Sequence, residues 1–132
     1  MSKCLKSIVS ILLCAIIVFS LSACAMTEKK SAKIKVLIVP KFEIDEMSGD
    51  YPGEAQLFYE KYCPGEKPAT VAHLPDAAQF YLNEKSGVAL LITGSGKTAA
   101  ALAMTAVLNA PELDFSDAYI VSVGCSGGSY EC

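Results

Sequence analysis

The chain has no arginine and no tryptophan among its 132 residues, and its one histidine is His73. Without arginine it lacks the planar fork that grips a phosphate or carboxylate through two hydrogen bonds at once. Lysine supplies all the positive charge. From residue 24 onward, nine lysines stand against 14 acids, a formal charge of −5. A net acidic chain of this kind is ill-suited to nucleic acid, whose binding rests on neutralising phosphates. A lone histidine offers no His-rich metal site, and His73 is expected in a loop or a satisfied core position. CxxC spacing is also missing. Of six cysteines, Cys4 and Cys14 lie in the N-terminal apolar run and Cys24 ends it, which leaves Cys63, Cys125 and Cys132. That odd, scattered set indicates neither a disulfide framework nor a zinc site, while one bridge among the three stays open.

Charge is absent from Ser7 to Ala23, "SIVSILLCAIIVFSLSA", a run preceded by Lys3 and Lys6. A basic start followed by an apolar stretch is the pattern of a secretory signal. The stretch closes on "LSAC", Leu21 to Cys24, which resembles a bacterial lipobox. That resemblance implies cleavage before Cys24 and lipidation of its thiol, hence an exported protein anchored to the outer face of the bacterial cell membrane. An uncleaved membrane anchor is the alternative, the run being close to spanning length. The expected organisation is a signal peptide over 1–23, a polar tether over 24–33 and a single domain over 34–132.

Within that domain the pattern alternates. "KIKVLIVP", Lys33 to Pro40, reads as a buried strand, and "KFEIDEMSGDYPG" as an acidic loop. "GEAQLFYEKY", Gly53 to Tyr62, reads as a helix with Glu54 in its first turn, ended by Cys63-Pro64-Gly65. Gln79–Leu82 and Val88–Thr93 form a predicted hairpin around a turn ending at Gly87. The alanine-rich Lys97–Leu108 is a predicted helix, followed by a loop and then a buried strand over Ala118–Gly124. The fold class is α/β with a mostly parallel sheet. Its helices are too few to cover both faces of such a sheet, so the expectation is the N-terminal, incomplete part of a larger layered domain.

"TGSGKT", Thr93 to Thr98, invites a nucleoside-triphosphate reading that its spacing refuses. A triphosphate loop needs a glycine five residues before Gly96, and that place is held by Leu91 inside the strand. A short glycine turn before a helix can still hold an anion, since its free N–H groups and the helix dipole favour negative charge. Equally, Gly94 and Gly96 can serve only to let the chain turn sharply.

"VALLITGSGKTAAALAM" resembles the strand, glycine turn and helix of the nucleoside phosphorylase superfamily. "VSVGCSGG", Val121 to Gly128, resembles that superfamily's second glycine motif. "KVLIVPKFEIDEMSGDYPGEAQLF", Lys35 to Phe58, resembles more specifically the start of the purine nucleoside permease family, which shares the fold. The resemblance implies a phosphorylase-like three-layer fold and a purine nucleoside as ligand, bound by Gly94, Ser95 and Gly96 of the first turn and by Gly124, Cys125, Ser126 and Gly127 of the second. It implies catalytic acids among Glu43, Asp45 and Glu46, phosphate as the co-substrate of a phosphorolysis, no other cofactor or metal, and assembly into homo-oligomers. The activities it offers are nucleoside binding, uptake, or N-glycosidic cleavage of the nucleosidase or phosphorylase type; a truncated, inactive fragment is the alternative. Both glycine corners are expected side by side, at the ends of neighbouring parallel strands, facing one cleft.

Overall fold

A computed structural model describes residues 31–124. The expected signal segment, Cys24, most of the tether, and Cys125, Ser126 and Gly127 lie outside the described residues.

The domain opens with two short strands, β1 (Ala32–Lys33) and β2 (Val36–Val39), where the sequence suggests one. The break lies at Lys35, because the N–H groups of both Lys35 and Val36 converge on the carbonyl of Gly87. Then come α1 (Gln56–Tyr62), the hairpin strands β3 (Gln79–Asn83) and β4 (Val88–Ile92), α2 (Lys97–Leu108), β5 (Leu113–Asp114) and β6 (Tyr119–Ser122). The main sheet has the order β3-β4-β2-β6, with β3 antiparallel to β4 and the other pairs parallel. β1 and β5 form a separate parallel pair, although the sequence there reads as tether and loop.

Alternate residues of each strand point to opposite faces, and here both faces are apolar. Leu37, Val39, Phe80, Ala89 and Leu91 share one core with Ala103 and Val107 of α2. Ile38, Tyr81, Leu90 and Ile92 share the other with Ala55, Phe58, Tyr59, Tyr62 and Cys63 around α1. Two helical layers therefore sandwich the sheet, the α/β arrangement read from the sequence. Cover fails at one side: Tyr119, Ile120 and Val121 of β6 are 76, 50 and 44 % exposed. Parallel strands are normally buried on both faces. The layering is thus incomplete at β6 among the described residues.

Cys63 sits fully buried behind α1, its thiol against the carbonyl of Val88. Burial pushes the thiol above its ordinary value of 9.0. As pH rises, the unfolded chain loses the thiol proton first and binds fewer protons than the folded one, so stability falls. The contribution is intact below the ordinary thiol value and disappears as pH climbs through the raised one. Between pH 7 and pH 10, melting temperatures should fall more steeply for the wild type than for Cys63→Ala. Parallel curves would show that ionisation of this thiol is not linked to unfolding.

Candidate functional site

β2, β4 and β6 run parallel, so all three deliver their carboxyl ends to one edge of the sheet, the edge where open α/β sheets place ligands. Two hydrogen bonds continue the ladders past the strands: the Thr93 N–H donates to Pro40 O and the Val123 N–H to Val39 O. Gly94 of the first corner and Gly124, the one described residue of the second, thus leave the sheet together, but not as neighbours. β2 stands between β4 and β6, which sets the corners about two strand spacings, roughly 10 Å, apart. Adjacency was the expectation; the crossover through α2 carries β6 to the far side of β2, a choice of side that chain order does not encode.

Gly94 and Gly96 turn the chain with φ of 80° and 94°, a region that side-chain-bearing residues rarely enter. Gly96 is the N-cap of α2 and brings no side chain to cap it, so the first N–H groups of the helix have no side-chain cap. Across the edge Gly124 has φ of 118°, and a Cβ there would meet the Glu54 carboxylate at 2.5–2.7 Å.

The gap left by β2 is filled by its own continuation, Lys41 to Met47, and by two carboxylates. Glu54 lies ahead of α1 rather than in its first turn, which holds no acid. Its carboxylate accepts the Lys41 N–H at 3.0 Å and lies against Gly124, between β2's exit and the second corner. Lys41 in turn donates from Nζ to Ser122 Oγ at 3.1 Å. The other carboxylate, Glu43, folds back onto the start of α1. It accepts the N–H groups of Ile44 and Ala55, each at 2.8 Å, and also those of Gly53 and Gln56. A helix start leaves N–H donors without partners, and an anion there is favoured by both hydrogen bonding and the dipole. Gly53 must lack a side chain, because a Cβ would occupy the place of the Glu43 carboxylate and press on Ile44 N at 2.9 Å.

Two adjoining cavities open at this edge. One, of about 390 Å³, is walled by Lys41, Phe42, Glu43, Asp45, Glu46 and Met47 on one side and by Gln79, Tyr81, Ile92, Gly94 and Ser95 on the other. The second, of about 420 Å³, lies between Glu54 and the turn Ser95-Gly96-Lys97. They share Lys41, Phe42 and Ser95 as a common wall. Both fall in the size range of small-ligand sites. A larger hollow of about 600 Å³ lies away from the corners, against the flank of α2 at Leu102, Ala106 and Pro111. Its Asn109 amide is already turned back to Thr105 O. Of the three, the first strand-edge cavity has the most polar lining.

The sequence model of the purine nucleoside permease (NUP) family matches residues 33–131. This chain belongs to the purine nucleoside permease family. The resemblance carried by Lys35–Phe58 is thereby borne out. No curated protein and no solved structure matches.

In this permease-family domain Glu43, Asp45, Glu46, Gly94 and Ser95 come together around the first cavity, and Ser95 and Gly96 line the second. Gly124 stands at the far corner beside Glu54. Asp45 holds a φ of 52°, a left-handed geometry uncommon outside glycine. Asp45 and Glu46 are exposed on the loop, whereas the Glu43 oxygens are occupied by backbone donors. Sequence reasoning missed Lys41, Phe42, Glu54, Gln79 and Tyr81. Lys41 and Phe42 carried a usable signal, since they directly follow the carboxyl end of an apolar strand. Tyr81 did not: it is buried on the α1 face of the sheet, where its ring packs edge-on to Tyr59 at 5.1 Å and its hydroxyl donates to Gln79 Oε1 at 2.6 Å, contacts made only on folding. Burial, and then the neighbouring Tyr59, push the Tyr81 hydroxyl above its usual pKa. It therefore stays a neutral donor beside the cavity.

Proposed function

We propose that this chain binds purine nucleosides in the strand-edge cleft and serves their uptake, held by a lipid on Cys24 at the outer face of a bacterial cell membrane. The observation that carries the reading is the match to the purine nucleoside permease family over residues 33–131. The cleft supports it chemically. Phe42 borders both cavities and is 41 % exposed, a flat apolar surface for a purine ring. Backbone groups of Gly94, Ser95 and Gly96, and of Gly124, Cys125, Ser126 and Gly127, contact the sugar and base; carboxylates on the loop accept sugar hydroxyls. Among the described residues no helix is long and apolar enough to cross a membrane.

Titration calorimetry with inosine and adenosine tests this, and failure of both to bind overturns it. Phe42→Ala should cost about 1–3 kcal/mol of affinity, the usual worth of a base stacked on an aromatic ring. Its melting temperature should stay near the wild-type value, because the ring is largely outside the core.

A second reading, N-glycosidic cleavage, is favoured by the acids around the first cavity. Breaking a ribose–base bond passes through an oxocarbenium-like state that a nearby carboxylate steadies, or whose attacking water it deprotonates. Asp45 and Glu46 suit that work, with Glu43 holding their loop. Phosphate, if it is the attacking group, meets Lys97 and the N–H groups at the start of α2. Base release from inosine, followed with and without phosphate, separates the readings: binding without release removes cleavage and leaves uptake.

A further inference from the structure

We infer that Gln79 reads the base in the first cavity, and that its hydrogen bond with Tyr81 sets it to favour a 6-oxopurine nucleoside over adenosine. The inference rests on the nucleoside-binding reading of the cleft and names the substrate class of that site.

Topology places the two residues together. β3 runs antiparallel to β4 and Gln79 pairs with Ile92, so β3 begins at the edge where the parallel strands end. Residues two apart on a strand share a face. Gln79 and Tyr81 therefore stand side by side, and both line the first cavity. Tyr81 is 4 % exposed and held by its edge-on contact with Tyr59, whereas Gln79 is exposed at the rim.

One hydrogen bond fixes the amide. Tyr81 donates its hydroxyl proton to Gln79 Oε1 at 2.6 Å. Burial keeps that hydroxyl protonated, so it remains a donor at neutral pH. Turned over, the amide would aim Nε2 at the hydroxyl and leave the tyrosine proton without an acceptor among the described residues. Gln79 therefore keeps its oxygen on the protein side. Its Nε2 carries two N–H groups, makes no hydrogen bond among the described residues, and is the amide atom left for a ligand.

That orientation decides which base fits. Along the edge bearing N7 and the position-6 group, adenine shows one acceptor and one donor, and a 6-oxopurine shows two acceptors. A free glutamine reads adenine there, accepting from the 6-amino group while donating to N7. Such a fit needs both amide atoms turned to the base, and the bond to Tyr81 withholds the oxygen. Gln79 presents donors, as a lysine does to O6 and N7. Toward adenosine it would set N–H against N–H. The Asp45 and Glu46 carboxylates stand across the cavity and serve the sugar hydroxyls in the reading on which this rests.

Titration calorimetry of the full-length protein with inosine and with adenosine is the test. Inosine should bind about tenfold more tightly, the scale of one hydrogen bond made against one refused. Tyr81→Phe keeps the ring but frees the amide to turn over, so the affinity ratio should fall to within about twofold of one. Gln79→Glu turns acceptors toward the base and should reverse the preference in favour of adenosine. Circular dichroism confirms the fold of each variant. Residues with a structural part alone would weaken both nucleosides equally and leave the ratio as in the wild type; that outcome in either variant overturns the inference. Equal affinities in the wild type, or a preference for adenosine, also overturn it while the nucleoside-binding reading stands. Binding of neither nucleoside removes that reading, and the inference with it.

Discussion

Replacing Phe80 with alanine will lower the free energy of unfolding by about 3–5 kcal/mol, the range for truncating a buried phenylalanine. Phe80 is 1 % exposed and lies across from Leu91 in the β3–β4 pair. It belongs to the core between the sheet and α2, with Leu37, Ala103 and Val107. The ring touches neighbours on a strand pair and on the helix, so neither layer can close the hole without moving the other; what remains is lost transfer energy plus a cavity. A domain of this size holds about 5–15 kcal/mol in all, and one with β6 uncovered stands toward the low end. Phe80→Ala therefore removes much of the reserve. Ile120→Ala is the matched control: the side chain is 50 % exposed, and its loss should cost under about 1 kcal/mol. Urea unfolding followed by far-UV circular dichroism measures both, the chain having no tryptophan to report by fluorescence. Similar losses for the two variants would mean that the sheet is not packed against α2 as described.

What the sequence revealed follows how local each interaction is. The segment from Val88 to Leu108 was legible almost residue by residue, because an apolar run, glycines with positive φ and an alanine-rich helix are decided by near neighbours. The α/β class followed from the same periodicities, and the family resemblance from motif order. Long-range pairings were not legible. β1 meets β5 across some eighty residues, and two N–H groups sharing the Gly87 carbonyl split the first strand. Strand order placed β2 between the corners, against the expectation of adjacency. In the candidate site, the glycine turns announced themselves through composition. The roles of the acids did not. Glu54 looked like a first-turn helix residue, yet it precedes the helix and reaches Lys41, thirteen residues back. Glu43 looked like one of three interchangeable loop acids, and only folding brings it onto the start of α1. Carboxylates carry no sequence mark that separates a cap from a ligand contact; the distinction lies in which donors the fold turns toward them.

That distinction yields the other large expected effect. Glu43→Ala should destabilise the domain by about 2–4 kcal/mol and abolish nucleoside binding together. Its carboxylate serves the N–H groups of Ile44, Gly53, Ala55 and Gln56 at partly buried positions. Removing it deprives several donors of a charged acceptor at once, and stranded donors cost more than the net value of one ordinary hydrogen bond. Loss of those bonds frees the loop from Phe42 to Pro52 and with it one wall of the first cavity. Glu43→Gln should fall between, since an amide keeps one acceptor oxygen but turns two N–H donors toward a place already crowded with donors. A carboxylate that acts only on substrate behaves in the opposite way: its removal leaves stability unchanged or raises it, because functional sites are commonly held at some cost to the fold. Urea unfolding of the two variants, set beside calorimetric titration with inosine, therefore reads the role of Glu43 directly. A stable Glu43→Ala protein would show that the backbone donors are served without it, and would return Glu43 to the set of acids facing the ligand.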